Sequence, residues 1–213
     1  MAPEAMLQLG ILILTLSLFF VMHNLRNQTT QARTRTRNKN RQPEPNRYLA
    51  QASRHLARAR STSHRAQHAR SALIEADRAL SISPRDPSAH ILRSRALHLM
   101  NHRVAALRSL DTALSSPAAK SLSAAERSAA LVNRAVLKVA VNMRRRVDSA
   151  VEDLVEAVGL SGGKNSNSEA LCLLGKCYEW KGMKTEANDA FQKVLDVHPD
   201  SVEARNGLNR LGP

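Results

Sequence analysis

Between Ser168 and Ser201 the chain reads SEALCLLGKCYEWKGMKTEANDAFQKVLDVHPDS. Two short amphipathic helices laid back to back account for this pattern. Leu171, Leu174 and Tyr178 recur at i, i+3 and i+7, which is one face of a first helix. Gly182 supplies a C-terminal stop, and Ala187, Phe191, Val194 and Leu195 form the apolar stripe of a second helix. Pro199 forbids its continuation. Gly175 faces inward beside Leu174, and Ala187 sits early in the second helix, where bulk would push the two helices apart. A chain containing such a unit folds by stacking helix on helix.

The placing of Leu174, Gly175, Tyr178, Ala187, Phe191 and Pro199 resembles the tetratricopeptide repeat (TPR), a unit of about 34 residues. Leu171 stands where that family prefers an aromatic residue. The resemblance extends in weaker form from about Arg47 to Leu211. Arg47 to Thr62 and His64 to Ser83 read as a degenerate first pair, with about three residues inserted at its turn. Pro87 to Lys120 follows in period, with Ser94 in the small-residue place and Ala106, Leu110, Ala113 and Leu114 in step. Ser121 to Asn167 is a third unit, its turn lengthened around Met143 to Arg146. Val202 to Leu211 reads as a capping helix over the last apolar face. The resemblance implies an all-α, helical-hairpin solenoid of three to four repeats plus a cap, over residues 47–213.

Two different segments precede it. Ala5 to Met22 carries no charged residue, and 18 helical residues rise roughly 27 Å, against about 30 Å for a hydrocarbon core. A cleaved signal peptide would want a basic start and a small-x-small exit, whereas this run follows Glu4 and ends in Phe19-Phe20-Val21-Met22. Residues 1–25 are therefore expected to be a transmembrane signal-anchor. Residues 26–46 form a polar, basic linker closed by Pro43 and Pro45. From Arg26 to Arg70 there are twelve Lys/Arg and one acid, Glu44, so most of the net charge of +14 lies there. Basic flanks stay in the cytosol, which places the C-terminal domain on the cytosolic face of the endoplasmic reticulum or of a plastid or mitochondrial outer membrane. The linker's charge suits anionic headgroups. No aromatic residue interleaves its arginines, which disfavours nucleic acid.

Catalytic signatures are absent from the sequence pattern, and no cofactor is implied. Gly162-Gly163-Lys164-Asn165 departs from a phosphate loop at both ends. His64 with His68, and His98 with His102, stand at i, i+4 but lack neighbouring ligands to complete a metal site. Cys172 and Cys177, five apart on one helix, form neither a disulfide framework nor a metal site and suit a reducing compartment. Glu152, Asp153 and Glu156 read as a solvated acidic surface. Instead, the resemblance implies a concave groove lined by the first helix of each pair. By register it would present Arg54, Arg58, Arg95, His98, Asn133, Lys176, Glu179 and Trp180 to a protein partner with an acidic segment. The clamp by which some TPR proteins hold chaperone tails is incomplete, because Leu92 takes an asparagine place and Glu169 and Leu173 take basic ones. The function implied is a membrane-anchored adaptor. The alternatives are an outer-membrane receptor or co-chaperone for precursor proteins, and a basic RNA- or anionic-lipid-binding protein.

Overall fold

The computed structural model describes residues 44–115, 117–161 and 167–212. The expected anchor, most of the linker and the Gly162–Asn165 segment lie outside them. Every regular element among the described residues is helical. They are α1 (Glu44–Ser61), α2 (Arg65–Ile82), α3 (Pro87–Leu99), α4 (Arg103–Leu114), a 3-10 turn (Ala118–Ser121), α5 (Ala124–Leu160), α6 (Ser168–Lys181), α7 (Lys184–Val197) and α8 (Val202–Leu211). None is long and apolar enough to cross a membrane. The helix stops and starts follow local chemistry. Asp86 accepts hydrogen bonds from the Ser88 and Ala89 N–H groups ahead of Pro87, and Ser123 forms a reciprocal capping box with Glu126. Gly182 closes α6 in the left-handed conformation. Helix α1 begins at Glu44, earlier than expected, because Pro45 is harmless in a first turn whose N–H groups have no helical acceptor.

The core is a chain of overlapping clusters. Ala52 and Leu56 of α1 meet Ala72 and Ala76 of α2 and Leu92 and Ala96 of α3. Ile91 and Leu97 of α3 pack with Leu107 and Leu110 of α4 and Ala130 and Leu137 of α5. Leu131, Ala135, Ala150 and Leu154 of α5 continue to Ala170 and Leu174 of α6. Leu171, Phe191 and Val194 join α6 and α7 to Ala204 and Leu211 of α8. Each hairpin thus buries its apolar face against the next, as a TPR-type solenoid requires.

Helix α5 departs from expectation. In place of a lengthened turn at Met143–Arg146, the chain reverses at Asn142 (φ −160°, ψ 94°), and those residues belong to the returning helix. The Asn142 Oδ1 accepts the Arg145 N–H at 3.1 Å, doing the work of a loop. The two halves run antiparallel, joined by Ser128 Oγ donating to the Ala157 carbonyl and Lys138 Nζ donating to the Ser149 carbonyl, each at 2.9 Å. The acidic surface also needs correction at one residue. Asp153 is buried, where it accepts from Arg134 Nε at 2.9 Å and Nη2 at 2.6 Å and pairs with Lys138 Nζ at 2.7 Å. It turns inward because Arg134 and Lys138 lie opposite it on the other half of the hairpin. Burial opposes the Arg134 charge, but the hydrogen bonds to and charge of Asp153, with Asp111 and Glu156 beyond, outweigh it and raise its pKa.

The terminal repeat is locked around one ring. A Cβ on Gly175 would lie 2.7 Å from the Phe191 ring, and one on Gly207 of α8 would lie 2.6 Å from it. Two helix backbones therefore close on the same ring, one by its Cδ1–Cε1 half and one by its Cδ2–Cε2 half. Gly175→Ala and Gly207→Ala are each expected to cost about 1–3 kcal/mol through overpacking. Gly159→Ala, with nothing within 4 Å of the new methyl, should instead stabilise by about 0.5–1 kcal/mol through helix propensity. Asp153→Asn should cost about 3–5 kcal/mol, since it strands the buried Lys138 and the largely buried Arg134. Urea unfolding of the four proteins checks these signs and their order.

Candidate functional site

The first helices of successive pairs enclose a pocket of about 210 Å³. Its walls come from α1, α3 and α5, with Leu110 of α4 beneath. How α1 contributes is set by its core stripe. Ala52, Leu56 and Ala59 are buried, and at about 100° per residue this turns Ser53, Ala57 and Arg60 toward the pocket. Those three residues and Leu56 line it. Arg54 and Arg58 fall on the far, exposed side of α1 and are not among the lining residues. The degenerate first repeat hides this rotation, because its motif is only half present and its turn is longer than the family's. Burial of Ala52, Leu56 and Ala59 at i, i+4 and i+7 was the signal that could have revealed it.

Helix α3 gives Leu92, Ser94, Arg95, His98 and Leu99, and α5 gives Asn133, Val136 and Leu137. Arg95, His98 and Asn133 thus line the same pocket, and Arg60 joins them. Asn133 is partly fixed by donating from Nδ2 to the Ala129 carbonyl at 2.8 Å. The lining includes two guanidiniums and no carboxylate. Burial first, and then the opposing charge of Arg60, lower the pKa of Arg95. His98 is exposed, yet partial desolvation, followed by the charges of Arg103 and Arg65, lowers its pKa below 6.5. Leu56, Leu92, Leu99 and Val136 add apolar surface beside Ser53, Ser94 and Asn133, so the pocket is amphipathic and cationic.

The last part of the expected wall is occupied from within the chain. Lys176 forms an ion pair with Glu203, and Arg210 donates to both carboxylate oxygens of Glu179 at 2.7 Å. Both partners belong to α8. Hydrogen bonding to Arg210 is also the main reason the Glu179 carboxyl lies below its usual range. Trp180 stays 48% exposed, away from the pocket. The complementary pair at i, i+7 on α8 was visible in the sequence, but only the packing angle of the cap shows what it meets.

The remaining candidates have plain surroundings. Both cysteines are free and buried, and desolvation pushes the Cys177 thiol up to about 11. His68 faces His55 across the first hairpin, with ring centroids 6.1 Å apart. No group of three or more His, Cys, Asp or Glu suited to a metal occurs among the described residues.

Residues 169–201 match the family model described as "Tetratricopeptide repeat". No curated protein sequence matches the chain. Among solved structures, a crystal structure of a MamA protein superposes with a TM-score of 0.62 at 14% identity, covering 79% of this chain and 80% of that one. YrrB, described as a TPR protein with an unusual peptide-binding site, superposes at 0.57 with 19% identity over 74% of each chain. A chain of the APC/C hetero-tetramer Cut9–Hcn1 superposes at 0.64 with 15% identity, covering 78% of this chain and 29% of that one. At these identities the likeness is one of fold, and the fold is that of TPR proteins. The site's electrostatics yield a direct expectation. His98 should titrate below pH 6.5, and Arg103→Gln should move its midpoint upward by removing an opposing charge. NMR titration of the His98 imidazole resonances measures both.

Proposed function

We propose that this chain is an adaptor that holds a protein segment in the groove formed by α1, α3 and α5 and does no chemistry of its own. The observation that carries this reading is the amphipathic pocket at that groove, with Arg60 and Arg95 beside an apolar floor and no acid in the lining. Such a surface complements an extended segment that bears both carboxylates and aliphatic side chains. The fold neighbour YrrB, whose name carries a peptide-binding site, is in keeping with a binding role. Because Lys176 and Glu179 are committed to α8, the segment ends at the third hairpin rather than running to the last repeat. Arg54, Arg58 and Trp180 are left to secondary contacts at most.

Site-specific photo-cross-linking separates this wall from the rest of the surface. A photoreactive residue at 133 or 98 should capture a protein partner from extract, while one at 74, on the exposed side of α2, should not. Capture at 74 in place of 133 and 98 would overturn the groove reading.

The adaptor is further proposed to be tethered through residues 1–25, with its helical domain in the cytosol. The support is the uncharged run Ala5–Met22 followed by a flank rich in arginine. Alkaline carbonate should leave the protein in the membrane pellet, and protease added to intact organelles should digest the helical domain. Full protection of that domain would reverse the topology. Recovery in the carbonate supernatant would remove the anchor.

A further inference from the structure

We infer that the pocket between α1, α3 and α5 recognises a phosphoryl dianion, carried on a phosphoserine or phosphothreonine next to an aliphatic residue of the bound segment. This rests on the reading of the groove as a peptide site and adds the chemistry that the site selects.

Charge matching carries the argument. Three arginines on α3 and α5 have carboxylate partners: Arg93 with Asp77, Arg127 with Glu156, and Arg134 with Asp153. Arg60 and Arg95 have no such partner among the described residues, although both face the same pocket. Arg95 is also partly stripped of water there and feels the Arg60 charge. A desolvated, unpaired cation is costly, and two in one pocket oppose each other as well. One carboxylate neutralises one of them and leaves the other stranded. A phosphomonoester carries a charge of about −1.5 to −2 at neutral pH and three acceptor oxygens, which meets two guanidinium forks at once. Phosphodiesters of nucleic acid carry a single charge per unit, and no Phe, Tyr or Trp lines the pocket to stack a base.

The neutral groups complete the selection. His98 and Ser53 add donors at the rim, where a phosphate oxygen can accept from them. Leu92, with Leu56, Leu99 and Val136, offers a dry wall for one aliphatic side chain. The pocket therefore reads two adjacent features, a dianion and a branched apolar group.

The test uses the full chain in a non-ionic detergent and fluorescence anisotropy of dye-labelled hexapeptides with leucine on either side of a central residue. That residue is phosphoserine, serine, glutamate, or a Glu-Glu pair. The phosphoserine peptide should bind about tenfold or more tightly than the other three, the equivalent of one charge-assisted hydrogen bond or more. Arg60→Gln and Arg95→Gln should each remove about that factor for the phosphopeptide only. Arg54→Gln, on the far side of α1, should not. Circular dichroism confirms that all three variants are folded. Bound phosphopeptide should also raise the His98 titration midpoint, a shift that a purely structural role for the arginines would not produce. Equal binding of the Glu-Glu and phosphoserine peptides, or phosphopeptide binding indifferent to both arginine changes, would overturn the inference. If the phosphopeptide fails while residues 133 and 98 still cross-link a partner, the dianion is wrong and the groove stands. If both fail, both readings fall.

Discussion

Close approach of helices is the constraint on which this structure depends, and alanine makes it feasible. About half of the buried apolar residues are alanine, and the core-facing side of α2 is Ala69, Ala72, Ala76 and Ala79, each fully buried. A buried methyl contributes only about 0.8 kcal/mol, against about 1.5–3 kcal/mol for a leucine or phenylalanine side chain. Such seams are stable because they recur and interlock, each cluster sharing a helix with the next. They also set the geometry of the groove. With little bulk between them, the hairpins stack closely enough for α1, α3 and α5 to share one pocket.

Charge is handled in two opposite ways within a few turns of helix. Inside the α5 hairpin, Asp153 is ringed by Arg134 and Lys138, and this polar knot joins the two halves through their side chains. Buried pairs of this kind contribute less to net stability than their distances suggest, but losing one member is costly, so they specify which faces meet. In the pocket, Arg60 and Arg95 are given no counter-charge at all. Two cations that share one pocket with no acid in its lining hold electrostatic free energy for something that binds there.

The hairpin of α6 and α7 was readable residue by residue because each motif position has a single steric job. Gly175 leaves room for Phe191, Gly182 turns the chain, and Val202–Leu211 caps the end as its pattern implies. The first hairpin was less readable, since the residues inserted at its turn break the family's register and its rotation depends on which alanines are buried. That placed Arg60 rather than Arg54 and Arg58 at the pocket. Asn142 was illegible for a different reason. A one-residue reversal leaves no Gly or Pro signature, and the basic run after it resembles a loop as much as a helix start. Asp153 looked solvated because its two partners are distant in sequence. Gly207 holds no motif position, and only the packing of the cap shows the Phe191 ring beneath it.

The slot around that ring has a kinetic consequence. Phe191 is fully buried, with the Gly175 and Gly207 backbones closed on its two edges. A half-turn of the phenyl about its axis needs clearance where those two backbones stand close, so it is expected to wait on α6 and α8 parting momentarily. The ring is thus a clock for the breathing of the terminal hairpin. Its two edges should stay spectroscopically distinct for as long as the end of the solenoid is shut, and should merge at the rate at which it opens.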